Sequence, residues 1–259
     1  MTNSSDPSNK SNNLFDHLLE LRNRILRALL AVLIVFCSLV YFAQDIYQFV
    51  AQPLLTVLPQ DSQMIATDVA SPFFAPFKLT LVLSLFVAMP FVLFQIWSFV
   101  APGLYRHEKR LIAPLMFGST VLFYAGISFA YFVVFPVVFT FFTSVAPEGV
   151  VIATDISSYL DFILKLFFAF GAAFEIPVAI ILLCWTGVTS PDSLRAKRAY
   201  VVVGAFVIGM LLTPPDIISQ TMLAIPMLLL FELGIVIASI YHTEDQEKED
   251  PSSDIKENG

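Results

Sequence analysis

Ser98–Arg110, SFVAPGLYRHEKR, decides how this chain is read. It gathers Arg106, His107, Glu108, Lys109 and Arg110 between two long apolar segments, about Phe73–Trp97 and Ala113–Phe142. Charge so concentrated between apolar runs belongs to a turn at a membrane surface, since ionised groups are costly inside hydrocarbon. The lone Glu108 has two readings. It is either a solvated salt-bridge partner of its neighbours, worth little, or a docking point for a cationic ligand.

Composition around this turn supports a membrane protein. Of 259 residues, 57% are hydrophobic and 14% charged, whereas soluble domains carry about 25% charged residues. The formal charge of −7 comes mainly from Glu244–Gly259, which holds seven acids and two lysines and reads as a solvated tail. Cys37 and Cys184 both fall in apolar runs, so the sequence offers no disulfide framework and no C-x-x-C pair.

Six apolar segments are predicted: about Arg24–Ala43, Phe73–Trp97, Ala113–Phe142, Tyr159–Trp185, Ala199–Leu212 and Ile217–Tyr241. The first is too long for a signal-peptide core, has no small-residue cleavage site after it, and is read as a retained span. Polar residues 1–13 and 242–259 are expected to be disordered flanks of a membrane domain over 14–241. Lys10, Arg22, Arg24 and Arg27 precede the first segment. Arg106, Lys109 and Arg110 follow the second, and Arg195, Lys197 and Arg198 follow the fourth, while the alternate loops carry no Lys or Arg. The positive-inside rule then places both termini and the charged turn in the cytoplasm.

The fifth segment spans about 21 Å as a helix against about 30 Å of hydrocarbon, and Thr213-Pro214-Pro215-Asp216 stops it. The outer turn between short fifth and sixth helices is therefore expected below the lipid surface. Pro90, Pro136, Pro177 and Pro226 interrupt other segments. Each removes a backbone hydrogen bond, so a cupped arrangement of kinked helices is expected rather than a straight bundle. The fold class is an all-α integral membrane protein with six transmembrane helices.

A short repeat adds detail. Ile65-Ala66-Thr67-Asp68 recurs as Ile152-Ala153-Thr154-Asp155, and the same offset aligns Ser71 with Ser158 and Lys78 with Lys165. Ser71 before Pro72 is predicted to cap one helix, and Ser158 with Asp161 to form a capping box on another. Chance similarity in an apolar chain competes with two related halves.

Glu175, in GAAFEIPVA, lies near the middle of the fourth segment and must face protein or water. It is either a functional carboxyl or a structural hydrogen-bonding group between helices. Glu20, in HLLELRNR, precedes the first segment, with Arg22 and Arg24 near enough for local ion pairs. Two carboxylates at Glu20 and Glu108 suit a pair of guanidinium groups, whose planar forks match carboxylate geometry. No H-E-x-x-H, G-x-S-x-G, Walker A or G-x-G-x-x-G motif is present, so an enzyme is not expected, nor a cofactor, metal or nucleic-acid site.

The ordered segments HLLELRNR, MIATDVASPFFAPFKLT, SFVAPGLYRHEKR, FAYFVVFP, FEIPVAI and GMLLTPPDIISQ resemble the TatC family, the multispanning receptor subunit of the bacterial twin-arginine translocase. The resemblance covers about Leu14–Tyr241. It implies an inner-membrane protein that binds twin-arginine signal peptides of folded precursors, with export driven by the protonmotive force. Glu20 and Glu108 match family positions that contact the arginine pair, with Arg22 and Phe99 near them. Glu175 matches the carboxyl associated with recruiting the small pore-forming partner. Met210, Thr213 and Gln220 match a polar patch where single-span TatA-like and TatB-like subunits dock, and Pro53 and Asp216 match further family positions. Self-association in a multimeric receptor complex is also implied. Two other readings stand beside it: an ion-coupled solute carrier with Glu175 as proton site, and a purely structural membrane scaffold.

Overall fold

Prolines and the carbonyls they leave without donors shape the helices. The computed structural model describes residues 7–57, 64–100, 112–145, 154–212 and 217–249, which are helical apart from short turns and one isolated bridge. Helix α1 (Pro7–Leu39) passes through a 3₁₀ turn at Val40–Phe42 into α2 (Ala43–Val57). Helices α3 (Ser71–Val87) and α4 (Met89–Val100) form one apolar segment bent by 50°. Pro90 has no N–H for the Phe86 carbonyl four residues earlier. Tyr124 supplies the missing donor, its hydroxyl donating to that carbonyl at 3.0 Å from helix α5 (Ile112–Phe129).

The third segment departs from α-helical bonding beside its proline. Helix α5 opens into a π turn at Ala130–Val134 and continues as α6 (Phe135–Val145), with Pro136 at its start. A π turn is a usual site for a sharp change of helix direction. Helices α7 (Ile156–Phe174) and α8 (Ile176–Trp185) meet at Glu175, two residues before Pro177. The short α9 (Pro191–Ala196) leads to α10 (Arg198–Leu212), and α11 (Ile217–Glu249) closes the fold. Among the described residues four helical stretches are long and apolar enough to cross a membrane, or five with the bent α3–α4 pair; α10 is shorter.

Two expectations need correction. The sixth segment is not short: α11 runs for 33 residues, continuing through Glu244–Glu249. Glu, Gln and Lys are good helix formers, so an established apolar helix extends readily into an acidic sequence. Helix α1 starts at Pro7, and proline suits the first position of a helix.

The capping assignments also differ. Asp155 caps α7, accepting from the Ser157 and Ser158 amides at 2.9 Å each. Ser71 is the first residue of α3 and does not cap it; its hydroxyl accepts instead from that of Ser157 at 2.9 Å. Asp161 reaches across to Lys78 at 2.5 Å rather than completing a capping box. The change follows from Thr154-Asp155 lying beside the first copy of the tetrapeptide. Ile65 N–H donates to Thr154 O at 3.0 Å, Ile156 N–H donates to Ile65 O at 2.9 Å, and Thr67 donates to Asp155 from both amide and hydroxyl.

This end of the molecule holds the densest packing. Leu79, Phe135, Leu160, Ile163, Leu166 and Phe170 are all fully buried among α2, α3, α6 and α7. Close helix approaches need small residues, since dispersion contacts rather than water release hold apolar helices together in lipid. A Cβ on Gly126 would lie 2.5 Å from the Phe170 carbonyl oxygen, and one on Gly234 would lie 2.9 Å from Pro177 Cα. The opposite end is looser. Along residues 18–39 of α1 only Val32 is buried.

Candidate functional site

Two pockets carry the polar groups singled out by sequence. The first lies between α1, α3 and α4, with a volume of 670 Å³ and walls that include Leu21, Ile25, Leu29, Leu85 and Ile96. Arg24, Gln95 and Phe99 also line it. Arg24 Nε donates to Glu20 Oε1 at 3.0 Å, one turn back along the same helix. Arg22 turns away and bonds its neighbour Asn23 at 3.3 Å. Of the two arginines that sequence offered to Glu20, Arg24 is the one that pairs. Gln95 is 6% exposed and its Oε1 accepts no hydrogen bond among the described residues. Sequence reasoning passed over Gln95, although a lone amide within an apolar helix deserved the scrutiny given to Glu175.

The second pocket, of 350 Å³, lies between α4, α5, α7 and α8 and contains Glu175 with Trp97, Phe123 and Phe168. The α7–α8 break puts Glu175 at the end of one helix and the start of the next. Ser119 Oγ donates to Glu175 Oε2 at 2.5 Å from α5, while Oε1 is buried and has no partner among the described residues. Nothing in the sequence singled out Ser119, because the two residues meet only through the packing of α5 on α7. Ile96 lines both pockets, so they adjoin.

The remaining candidates fall into two groups. Met210 on α10 is 49% exposed, and Gln220 on α11 packs against the preceding residue of α10: a Cβ on Gly209 would come within 3.4 Å of the Gln220 carbonyl oxygen. Pro53 lies within α2. Glu108 (within 101–111) and Thr213 and Asp216 (within 213–216) lie outside the described residues. At the opposite end of the molecule from Glu20, Asp155 is held well below the usual carboxylate range. The Thr67 hydroxyl is the main cause, followed by the amides of Ser158, Thr67 and Ser157. Among the described residues no group of three His, Cys, Asp or Glu side chains is placed to hold a metal ion.

Long apolar helices broken at prolines, with isolated polar groups set in apolar pockets, define a helical integral membrane protein. Within that class the chain belongs to the TatC family: the model of the Sec-independent protein translocase protein (TatC) matches residues 16–226. It is 59% identical to the Haemophilus influenzae Sec-independent protein translocase protein TatC over 248 residues, covering 96% of this chain and 97% of that one. It is 58% identical to the Escherichia coli K12 protein of the same name, with 92% of each chain covered. A crystal structure of the twin arginine translocase receptor TatC superposes with a TM-score of 0.78 at 37% identity, covering 86% of this chain and 98% of that one. The chain is thus a component of a protein translocase. Membership decides against the solute-carrier reading.

Proposed function

We propose that this chain binds twin-arginine signal peptides of folded precursors and, with single-span partner subunits, carries them across the inner membrane at the expense of the protonmotive force. The observation that carries the reading is the pairing of Glu20 with Arg24, which lines a large apolar groove together with Phe99. A signal peptide joins a pair of guanidinium groups to an apolar segment. A surface carboxylate beside an apolar groove complements that combination, because each arginine finds a forked acceptor and each apolar side chain leaves water. Glu108 is the second carboxylate of the pair, and Arg22 adjoins the site. Likeness to a structure titled as the twin arginine translocase receptor supports the same role.

The reading extends to topology and partners. Six transmembrane helices, counting α3–α4 as one bent span and α10 as a short one, leave both termini in the cytoplasm, in agreement with the Lys and Arg distribution. Glu175 recruits the small pore-forming subunit, and Met210, Thr213 and Gln220 form the docking patch for single-span partners. Pro53, which lies within α2 rather than in a loop, and Asp216 act at the outer side, and the receptor works as a multimer. A photoreactive group at position 108 is expected to crosslink to a twin-arginine precursor and to lose that crosslink when the precursor carries Lys-Lys. Equal crosslinking of both precursors, or of neither, would remove the turn from the binding site.

A further inference from the structure

A third groove, of 530 Å³, opens between α3, α7 and α10. Its walls are apolar, with Val82, Leu164, Phe168, Ile208 and Leu212, and its polar lining comes from Lys78, Asp161 and Lys165. Lys78 and Asp161 pair with each other at 2.5 Å. Lys165 is exposed and makes no ion pair among the described residues, so the groove keeps one net positive charge.

We propose that Lys165, with Lys78 beside it, binds the phosphate of an anionic phospholipid from the leaflet at the Asp155 end, with the acyl chains lying along the groove. Lys165 sits nine residues into the span that starts at Ile156, a rise of about 14 Å. An exposed ammonium at that depth in a bilayer of ordinary thickness faces hydrocarbon, which is unfavourable. The adjoining helix removes the conflict. Helix α10 has 15 residues, about 22 Å against about 30 Å of hydrocarbon, and its last residue, Leu212, lines the groove with Lys165. A bilayer that adapts to so short a helix thins beside it and lowers its headgroups toward the lysine. A phosphodiester supplies the acceptor oxygens that an ammonium requires, and Lys binds phosphate as a point charge. Phe168 and Ile208, 43% and 45% exposed, give the chains an apolar bed.

A carboxylate on a neighbouring single-span helix is the competing occupant. Its proposed patch includes Met210, which points about 200° around α10 from both Ile208 and Leu212. The groove therefore opens on the other side of α10 from that patch.

The test uses the full chain in mild detergent, titrated with phosphatidylglycerol or phosphatidylethanolamine of matched chains and followed by native mass spectrometry. Wild type is expected to prefer phosphatidylglycerol. Lys165→Gln should lower that affinity about fivefold, the share one lysine contributes near an anionic lipid surface. Phosphatidylethanolamine binding should fall less, because its own ammonium offsets its phosphate, and Lys165→Arg should keep the preference. Inorganic phosphate at matched concentration should not displace the lipid, because it lacks the chains that fill the groove. No lipid preference in wild type, or an equal loss of both lipids in Lys165→Gln, overturns the proposal. So does unchanged phosphatidylglycerol affinity in Lys165→Gln, and if a single-span subunit then fails to co-purify, the lysine belongs to a protein carboxylate.

Discussion

Glu20 and Glu175 are both carboxyl groups in an apolar chain, but they are held in opposite ways. Glu20 pairs with Arg24, four residues along its own helix, and is 40% exposed. Glu175 takes its hydrogen bond from Ser119, 56 residues away on another helix, and one of its oxygens is enclosed with no partner among the described residues. The first arrangement can be exchanged for another guanidinium without moving any helix. The second ties α5 to the α7–α8 break, so a ligand that competes for Glu175 acts on the packing itself. An exchangeable carboxylate and one tied into helix packing are thereby separated within one chain.

Replacement of Glu20 tests the exchangeable half with the largest expected effect. A charge-assisted hydrogen bond contributes about 1.5–3 kcal/mol, so Glu20→Ala is expected to weaken Arg-Arg peptide binding about ten- to a hundredfold. Insertion should be normal, because the lost Arg24 pair is of the weak surface kind. Fluorescence anisotropy of labelled Arg-Arg and Lys-Lys peptides reads the change. An unaltered Arg preference would assign Glu20 to a purely local pair.

At Glu175 the expectation is reversed. Glu175→Ala leaves the buried Ser119 hydroxyl without its acceptor and is expected to cost about 1–3 kcal/mol of stability, with partner co-purification reduced and peptide affinity unchanged. Glu175→Gln should be milder, since an amide oxygen still accepts from Ser119. Thermal denaturation in detergent and pull-down of the single-span subunits measure the two effects. Weakened peptide binding in Glu175→Ala would erase the separation of roles.

A smaller effect sharpens the contrast further. If Glu20 receives an incoming arginine, Arg24 competes for it, so Arg24→Gln should tighten Arg-Arg peptide binding about two- to fivefold, the range of a surface ion pair. Looser binding would instead make Arg24 part of the recognition surface.

Asp155 gives the smallest expected change, a flat response to pH. Its folded pKa lies below the unfolded value, so its contribution is complete above about pH 4 and is lost only as pH falls through the lowered value. Between pH 8 and 5, hydrogen-exchange protection of the Ile65 and Ile156 amides, corrected for intrinsic rates, should not vary. Asp155→Ala should reduce that protection at every pH in the range. A titration of protection within this window would mean that another group controls the pairing of the two outer segments.

Much of this architecture follows from the sequence alone. Apolar length and composition identify a helical membrane protein, because a lipid-spanning backbone must satisfy its own hydrogen bonds. Proline positions mark the helix interruptions near Ala88, Val134 and Glu175, since each ring removes a donor at a known offset. The Glu20–Arg24 pair is legible because helical spacing alone brings i and i+4 together. Only the tertiary structure decides which distant groups meet. It assigns Ser119 to Glu175 and Tyr124 to the carbonyl freed by Pro90. It also pairs Lys78 with Asp161 and sets Ile65 and Thr67 against Thr154, Asp155 and Ile156. Those partners depend on how helices far apart in sequence cross and rotate, and in lipid that is set by the summed fit of small contacts that no local pattern records.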